Sequence, residues 1–153
     1  MIGFGEAIGL FFRRYTDFKG RSSRAEYWWP FLMHVGVMLA LGGAAAAAGT
    51  DFEAEEISGS GAVFITLMAL YSLAVMIPAL AVLVRRLHDL DKSGWLALAI
   101  ILVSLVPAVG LLATIAQIVV GCLRGTPGDN RFGAPPVGTE VTPGSGSPPS
   151  NPA

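Results

Sequence analysis

The sequence predicts an all-α, polytopic membrane protein, and three observations carry that reading. Of its 153 residues, 53% are hydrophobic and only 14% charged, where soluble domains carry about 25% charged residues. Mean hydropathy is +0.61. The ten basic residues gather into three short clusters separated by long apolar runs: Arg13 to Arg24, Arg85 to Lys92, and Arg124 with Arg131. A soluble domain of this size has too little interior for so much apolar surface.

The first element is a short amphipathic helix. Residues 4–15 set Phe4, Ala7, Ile8, Phe11, Phe12 and Tyr15 on one helical face, with Glu6, Arg13 and Arg14 off it. Its rise of about 18 Å falls short of a hydrocarbon core of about 30 Å. It therefore lies in the interface or packs on the protein's own spans. The stretch MIGFGEAIGLFFRR has neither a leading basic region nor a cleavage site, so it is not expected to be a signal peptide.

Gly20 ends that helix, and Ser23 with Glu26 has the spacing of a capping box. The first span follows over residues 27–49. At its entry, FKGRSSRAEYWWPF sets cations against rings. Tyr and Trp favour the headgroup layer, and Lys and Arg favour the cytoplasmic side. Tyr27, Trp28, Trp29 and, later, Trp95 are the expected interface anchors. Gly36 with Ala40, and Gly43 with Ala47, have small-xxx-small spacing, which alanine-rich composition also explains. Residues 50–61, TDFEAEEISGSG, form an acidic loop on the opposite side.

A second span covers residues 62–84, with Pro78 expected to kink it. RRLHDLDKSGW then returns the chain to the basic side. With basic residues before span one and after span two, and none in the loop between, the positive-inside rule predicts a cytoplasmic N-terminus. The third hydrophobic segment, 95–123, carries no charge and is interrupted by Pro107 and Gly110. As one straight helix it would rise about 43 Å, well beyond the core. A re-entrant hairpin bent at VPAVG is the preferred reading, and a single kinked crossing is the alternative. RGTPGDNRFGAPP has turn chemistry. Residues 137–153 are rich in Gly, Pro and Ser and are expected to be a disordered tail beyond a membrane domain of residues 1–136.

FKGRSSRAEYWW, RRLHDLDKSGW and GTPGDNRFG, in that order, resemble the domain-of-unknown-function 805 family over roughly residues 8–136. The resemblance implies a polytopic bacterial inner-membrane protein. It transfers no catalytic or binding residue.

The residues that could carry chemistry lie in these polar stretches. Lys19, Arg21, Arg24, Arg85, Arg86, His88, Asp89 and Lys92 form the candidate lipid- or partner-binding set, because guanidinium groups grip phosphate in a bidentate way. The competing reading is a topogenic loop whose Arg–Asp pairs hold span two against the first basic cluster. Gly128, Asn130, Arg131, Phe132 and Gly133 form a motif of unknown role. Its glycines lack the Gly-Lys-Ser of a phosphate loop. His34 and His88 are too far apart along the spans to share a metal, so no metal and no cofactor is expected. His34 is still an ionisable group at membrane depth. Lone Cys122 gives no intrachain disulfide.

Without a nucleophile elbow or paired carboxylates, an enzyme is not expected. The reading favoured is a non-enzymatic inner-membrane scaffold, partner-binding or lipid-interacting protein with a basic cytoplasmic face. Its partners would be anionic membrane lipid, a membrane protein or further copies of itself, and not nucleic acid. The alternative is a small oligomeric transporter or channel.

Overall fold

The structure, a computed structural model, describes residues 2–51, 59–104, 106 and 109–136. Most of the acidic loop, part of the VPAVG bend and the whole of the 137–153 tail lie outside the described residues. Within them the chain forms α1 (Phe4–Arg13), α2 (Arg24–Ala47), α3 (Gly59–Asp89), α4 (Trp95–Ser104) and α5 (Gly110–Cys122).

The two longest helices are the two apolar enough to cross a bilayer. The 24 residues of α2 and the 31 of α3 rise about 36 and 46 Å. The capping box at the start of α2 is formed: Ser23 Oγ accepts from the Glu26 amide at 3.3 Å, and Glu26 Oε1 accepts from the Ser23 amide at 3.3 Å. α3 continues past the unbroken apolar run that ends at Val84, through Arg85, Arg86, Leu87 and His88 to Asp89. Pro30 and Pro78 stand inside these helices, both buried.

α1 packs against both long helices. Ala7 and Phe11 are buried, Phe4 sets its ring edge-on to Trp29 at 5.6 Å, and the Tyr15 hydroxyl donates to the Ala74 carbonyl. Packing on the protein's own spans is therefore the observed arrangement, while Phe4 and Phe12 keep exposed apolar surface.

The third segment is two helices packed on each other. α4 begins just after the end of α3, and the residues following α5 bond to Arg86 and Asp89 at that same end. The ten residues of α4 rise about 15 Å.

Burial is uneven along the bundle. The core cluster includes Phe11, Tyr27, Val82, Leu83, Leu87 and Val120, near the charged end. Leu39, Leu70, Leu73 and Leu111 point outward and are exposed. A bilayer explains this distribution, since outward apolar side chains gain nothing from turning inward when the solvent is hydrocarbon. Gly36 and Gly43 have no neighbour near the position of a Cβ, so the small-residue face of α2 is unused within the chain.

Candidate functional site

The three polar stretches converge at one end of the helices into a buried cluster of opposed charges. Arg21 is 4% exposed, Arg85 and Arg86 1% each, and Asp89 4%. A charge out of water is costly unless paired and hydrogen-bonded, and the cluster meets that requirement group by group.

Asp89 is the centre. Its Oδ1 accepts from Arg21 Nε at 2.9 Å and lies 2.8 Å from Arg21 Nη2, and its Oδ2 accepts from Arg86 Nη1. One carboxylate thus bridges a guanidinium from the stretch before α2 to one from its own helix. The remaining donors go to carbonyls. Arg21 Nη1 donates to Gly128 O at 2.6 Å and Gly133 O at 3.3 Å, and Nη2 to Thr126 O at 2.6 Å. Arg86 donates to Val120 O at 3.1 Å, to Ser22 O at 3.3 Å and to Leu123 O.

Val120 and Leu123 lie at the end of α5, where the last carbonyls have no intrahelical partner. Arg86 supplies donors there, and its charge suits the negative end of the helix dipole. Trp28 completes the cap, its Nε1 donating to Gly121 O at 3.2 Å.

A second strand of the network runs through Ser22 and Glu26. Arg85 Nε donates to Ser22 Oγ at 3.0 Å, and Ser22 Oγ donates to Glu26 Oε2 at 3.1 Å. Arg85 Nη1 reaches the Arg14 carbonyl at 3.3 Å and the Asp17 carbonyl. Asp17 pairs with Arg14 at 2.9 Å. Burial pushes the Asp17 carboxyl up, but the Lys19 amide and the Arg14 guanidinium together hold it below the usual range.

The last motif closes the assembly. The Thr126 amide donates to Asp89 O at 2.8 Å, and Asn130 Nδ2 donates to His88 O at 2.9 Å. These bonds serve the terminal carbonyls of α3. Gly125 passes so near Asp89 that a Cβ there would overlap the carboxylate. Gly128 at φ 67° and Gly133 at φ 116° hold left-handed backbone that aims their carbonyls at Arg21. Phe132 stacks on the His88 ring at 3.9 Å between centroids, His88 Nδ1 lies 3.1 Å from Gly20 O, and Arg131 pairs with Asp91 at 3.0 Å.

The candidate lipid- or partner-binding set therefore divides. Arg21, Arg85, Arg86 and Asp89 are buried and engaged by the protein itself, which is the Arg–Asp tie that formed the competing reading. All four lie inside the cluster, with their polar atoms on protein partners. Lys19, Arg24 and Lys92 are exposed, and His88 is half-buried.

The anchors divide too. Trp95 is 78% exposed, whereas Tyr27 is 7% exposed, with its hydroxyl donating to Gln117 O at 3.1 Å and Gly121 against its ring. Tyr27 and Trp28 lock α2 to α5 instead of standing free in the headgroup layer. Trp29 packs edge-on to Phe4. Ser22, Gly125 and Thr126 belong to the network; they lie in the quoted motifs, but no spacing there assigns them a partner. Among the described residues no group of three or more His, Cys, Asp or Glu could hold a metal.

The residues that build this cluster, Arg21 to Gly133, all fall within residues 15–134, which match the family model described as "Protein of unknown function (DUF805)". The chain belongs to this family. Two DUF805 relatives come from Escherichia coli (strain K12). Inner membrane protein YhaH is 37% identical over 124 residues, covering 81% of this chain and 90% of the relative. Inner membrane protein YhaI is 34% identical over 126 residues, covering 81% and 89%. No solved structure matches the chain. Both relatives are inner-membrane proteins, in keeping with the two membrane-length helices of this DUF805 chain.

Proposed function

We propose that this DUF805 chain is a non-enzymatic, multi-pass protein of the bacterial inner membrane. Its N-terminus and charged cluster lie on the cytoplasmic side, and its exposed cations meet anionic lipid or an acidic partner. The observation that supports this reading is the division of labour among the cations. Arg21, Arg85 and Arg86 are saturated by protein acceptors, whereas the exposed side chains of Lys19, Arg24, Lys92 and Arg124 have no hydrogen bond or ion pair among the described residues. Fixed and buried, the first group shapes the surface that carries the second. Each free cation near an anionic leaflet contributes about 1 kcal/mol of attraction.

The test replaces Lys19, Arg24, Lys92 and Arg124 together by Gln and measures the anionic fraction of co-purifying lipid, alongside a reporter fused after residue 136. Loss of anionic enrichment and a cytoplasmic reporter are expected. Unchanged enrichment, or a periplasmic reporter, rejects the reading.

A second reading, a small oligomeric transporter or channel, is favoured by one feature. His34 stacks on Tyr71 at 5.6 Å between centroids, and His34 Nδ1 and the Tyr71 hydroxyl are buried without a hydrogen-bond partner among the described residues. Unsatisfied polar atoms between membrane helices are the kind of group that lines a transport path. Ion or solute flux in proteoliposomes that disappears in His34→Ala would replace the first reading with this one.

A further inference from the structure

The hairpin of α4 and α5 encloses a cleft that the charged cluster does not use. It holds about 500 Å³, within the range of about 300–1,000 Å³ typical of ligand pockets. Its walls are apolar: Ile100 and Val103 from α4, Leu112 and Ala116 from α5. Only at its mouth, at the charged end of the bundle, do two cations line it, Lys92 and Arg124. Both are exposed, and neither side chain has a hydrogen bond or ion pair among the described residues.

Shape and charge together select an occupant. The α4 wall, ten residues long, rises about 15 Å. A hydrocarbon core of about 30 Å gives each leaflet about 15 Å. A molecule filling the cleft from mouth to floor is therefore as long as one acyl chain of the leaflet on the charged side. Its polar end must be anionic, because the charged residues of the lining are two cations, Lys92 and Arg124. A free phosphate would satisfy the mouth and leave the walls empty. A neutral acyl chain would do the reverse.

We propose that the α4–α5 cleft binds one anionic phospholipid, its phosphate between Lys92 and Arg124 and one acyl chain along Ile100, Val103, Leu112 and Ala116. This deepens the lipid-facing reading above and rests on it. The bound lipid fills the concave inner face of the hairpin, and its headgroup joins the loop after α3 to the start of the segment after α5. Arg86 and Leu123 already bond at that junction. A lipid there ties the hairpin to the cluster from the membrane side.

The test uses the full chain in detergent, read by native mass spectrometry with phosphatidylglycerol or phosphatidylcholine added. One phosphatidylglycerol per chain should be retained in preference to phosphatidylcholine. Two cations at about 1 kcal/mol each give a preference of roughly thirty-fold. In Lys92→Gln/Arg124→Gln that preference should vanish, while in Lys19→Gln/Arg24→Gln it should persist. Ala116→Trp, which fills the cleft without touching a charge, should reduce retention of both lipids, with helical content by circular dichroism unchanged.

Undiminished preference in Lys92→Gln/Arg124→Gln overturns the proposal, as does full retention in Ala116→Trp. A dimer that excludes phosphatidylglycerol from the wild-type chain also overturns it. If the quadruple variant loses anionic enrichment but the Lys92/Arg124 pair does not, this site fails and the broader lipid-facing reading stands. If neither changes, both fail.

Discussion

Asp89→Asn tests the charged cluster directly. The substitution keeps the shape of the side chain and removes its charge, leaving the buried guanidinium groups of Arg21 and Arg86 without their shared counter-ion. Both carboxylate oxygens accept from arginines, so one of them becomes an amide nitrogen facing a donor. Breaking a buried pair by removing one partner costs about 3–5 kcal/mol, because the remaining charge cannot regain its hydration. With two arginines dependent on one carboxylate, the upper half of that range is expected.

The consequence reaches beyond α3, since Arg21 holds Thr126, Gly128 and Gly133. The assay is limited trypsin digestion in detergent together with thermal melting. The wild-type chain should resist cleavage at Arg124. Asp89→Asn should be cut there rapidly and melt well below wild type, while Lys19→Gln behaves as wild type. A melting change in Asp89→Asn equivalent to less than about 0.5 kcal/mol, the scale of ordinary surface substitutions, together with unchanged cleavage, would refute the account of a buried, mutually dependent cluster.

Three further outcomes follow from the same geometry. Gly125→Ala places a Cβ on the Asp89 carboxylate and should destabilise by about 1–3 kcal/mol, the cost of overpacking, read as a lower melting temperature and earlier tryptic release of the segment after Arg124. Ser23→Ala removes the helix cap of α2 and should cost about 1 kcal/mol, measured by the same melt, with the tryptic pattern preserved. The lowered pKa of Asp17 means that its contribution is complete above its ordinary value of 3.8 and is lost as pH falls through the lowered one. Acid titration should therefore weaken wild type below that pH more than Asp17→Asn, and equal acid sensitivity in the two would count against it.

The sequence made the helices legible and left the cluster illegible, for physical reasons that particular residues show. The face of α1, the Ser23–Glu26 box and the apolar runs of α2 and α3 are local signals, carried by neighbours within a few turns. The end of α3 is less legible, because the unbroken apolar run stops at Val84 while the helix continues through Leu87 to Asp89. Hydropathy marks the lipid boundary, not the last helical hydrogen bond.

The cluster depends on contacts between residues far apart in the chain, such as Arg21 with Gly128 and Gly133. A positive charge in sequence looks the same whether water or a carbonyl will surround it. Hence Arg21, Arg85 and Arg86 read either as surface cations or as members of Arg–Asp ties between the spans, and Tyr27 as a ring waiting for headgroups. Asp89, three residues after Arg86, hinted at a pair. Ser22 and Thr126 gave no hint, since a hydroxyl has no characteristic spacing when it bridges distant segments.

The left-handed turn that ends in Gly133 lies more than a hundred residues after Arg21, yet it supplies acceptors to that arginine, made near the beginning. During synthesis Arg21 emerges first, and the carbonyls of residues 126, 128 and 133 that it binds arrive only after three greasy stretches have left the ribosome. Once the final loop arrives, the same guanidinium is withdrawn from solvent. One side chain thus gathers its acceptors in two stages, and a ribosome stalled before residue 126 would leave it with Asp89 alone.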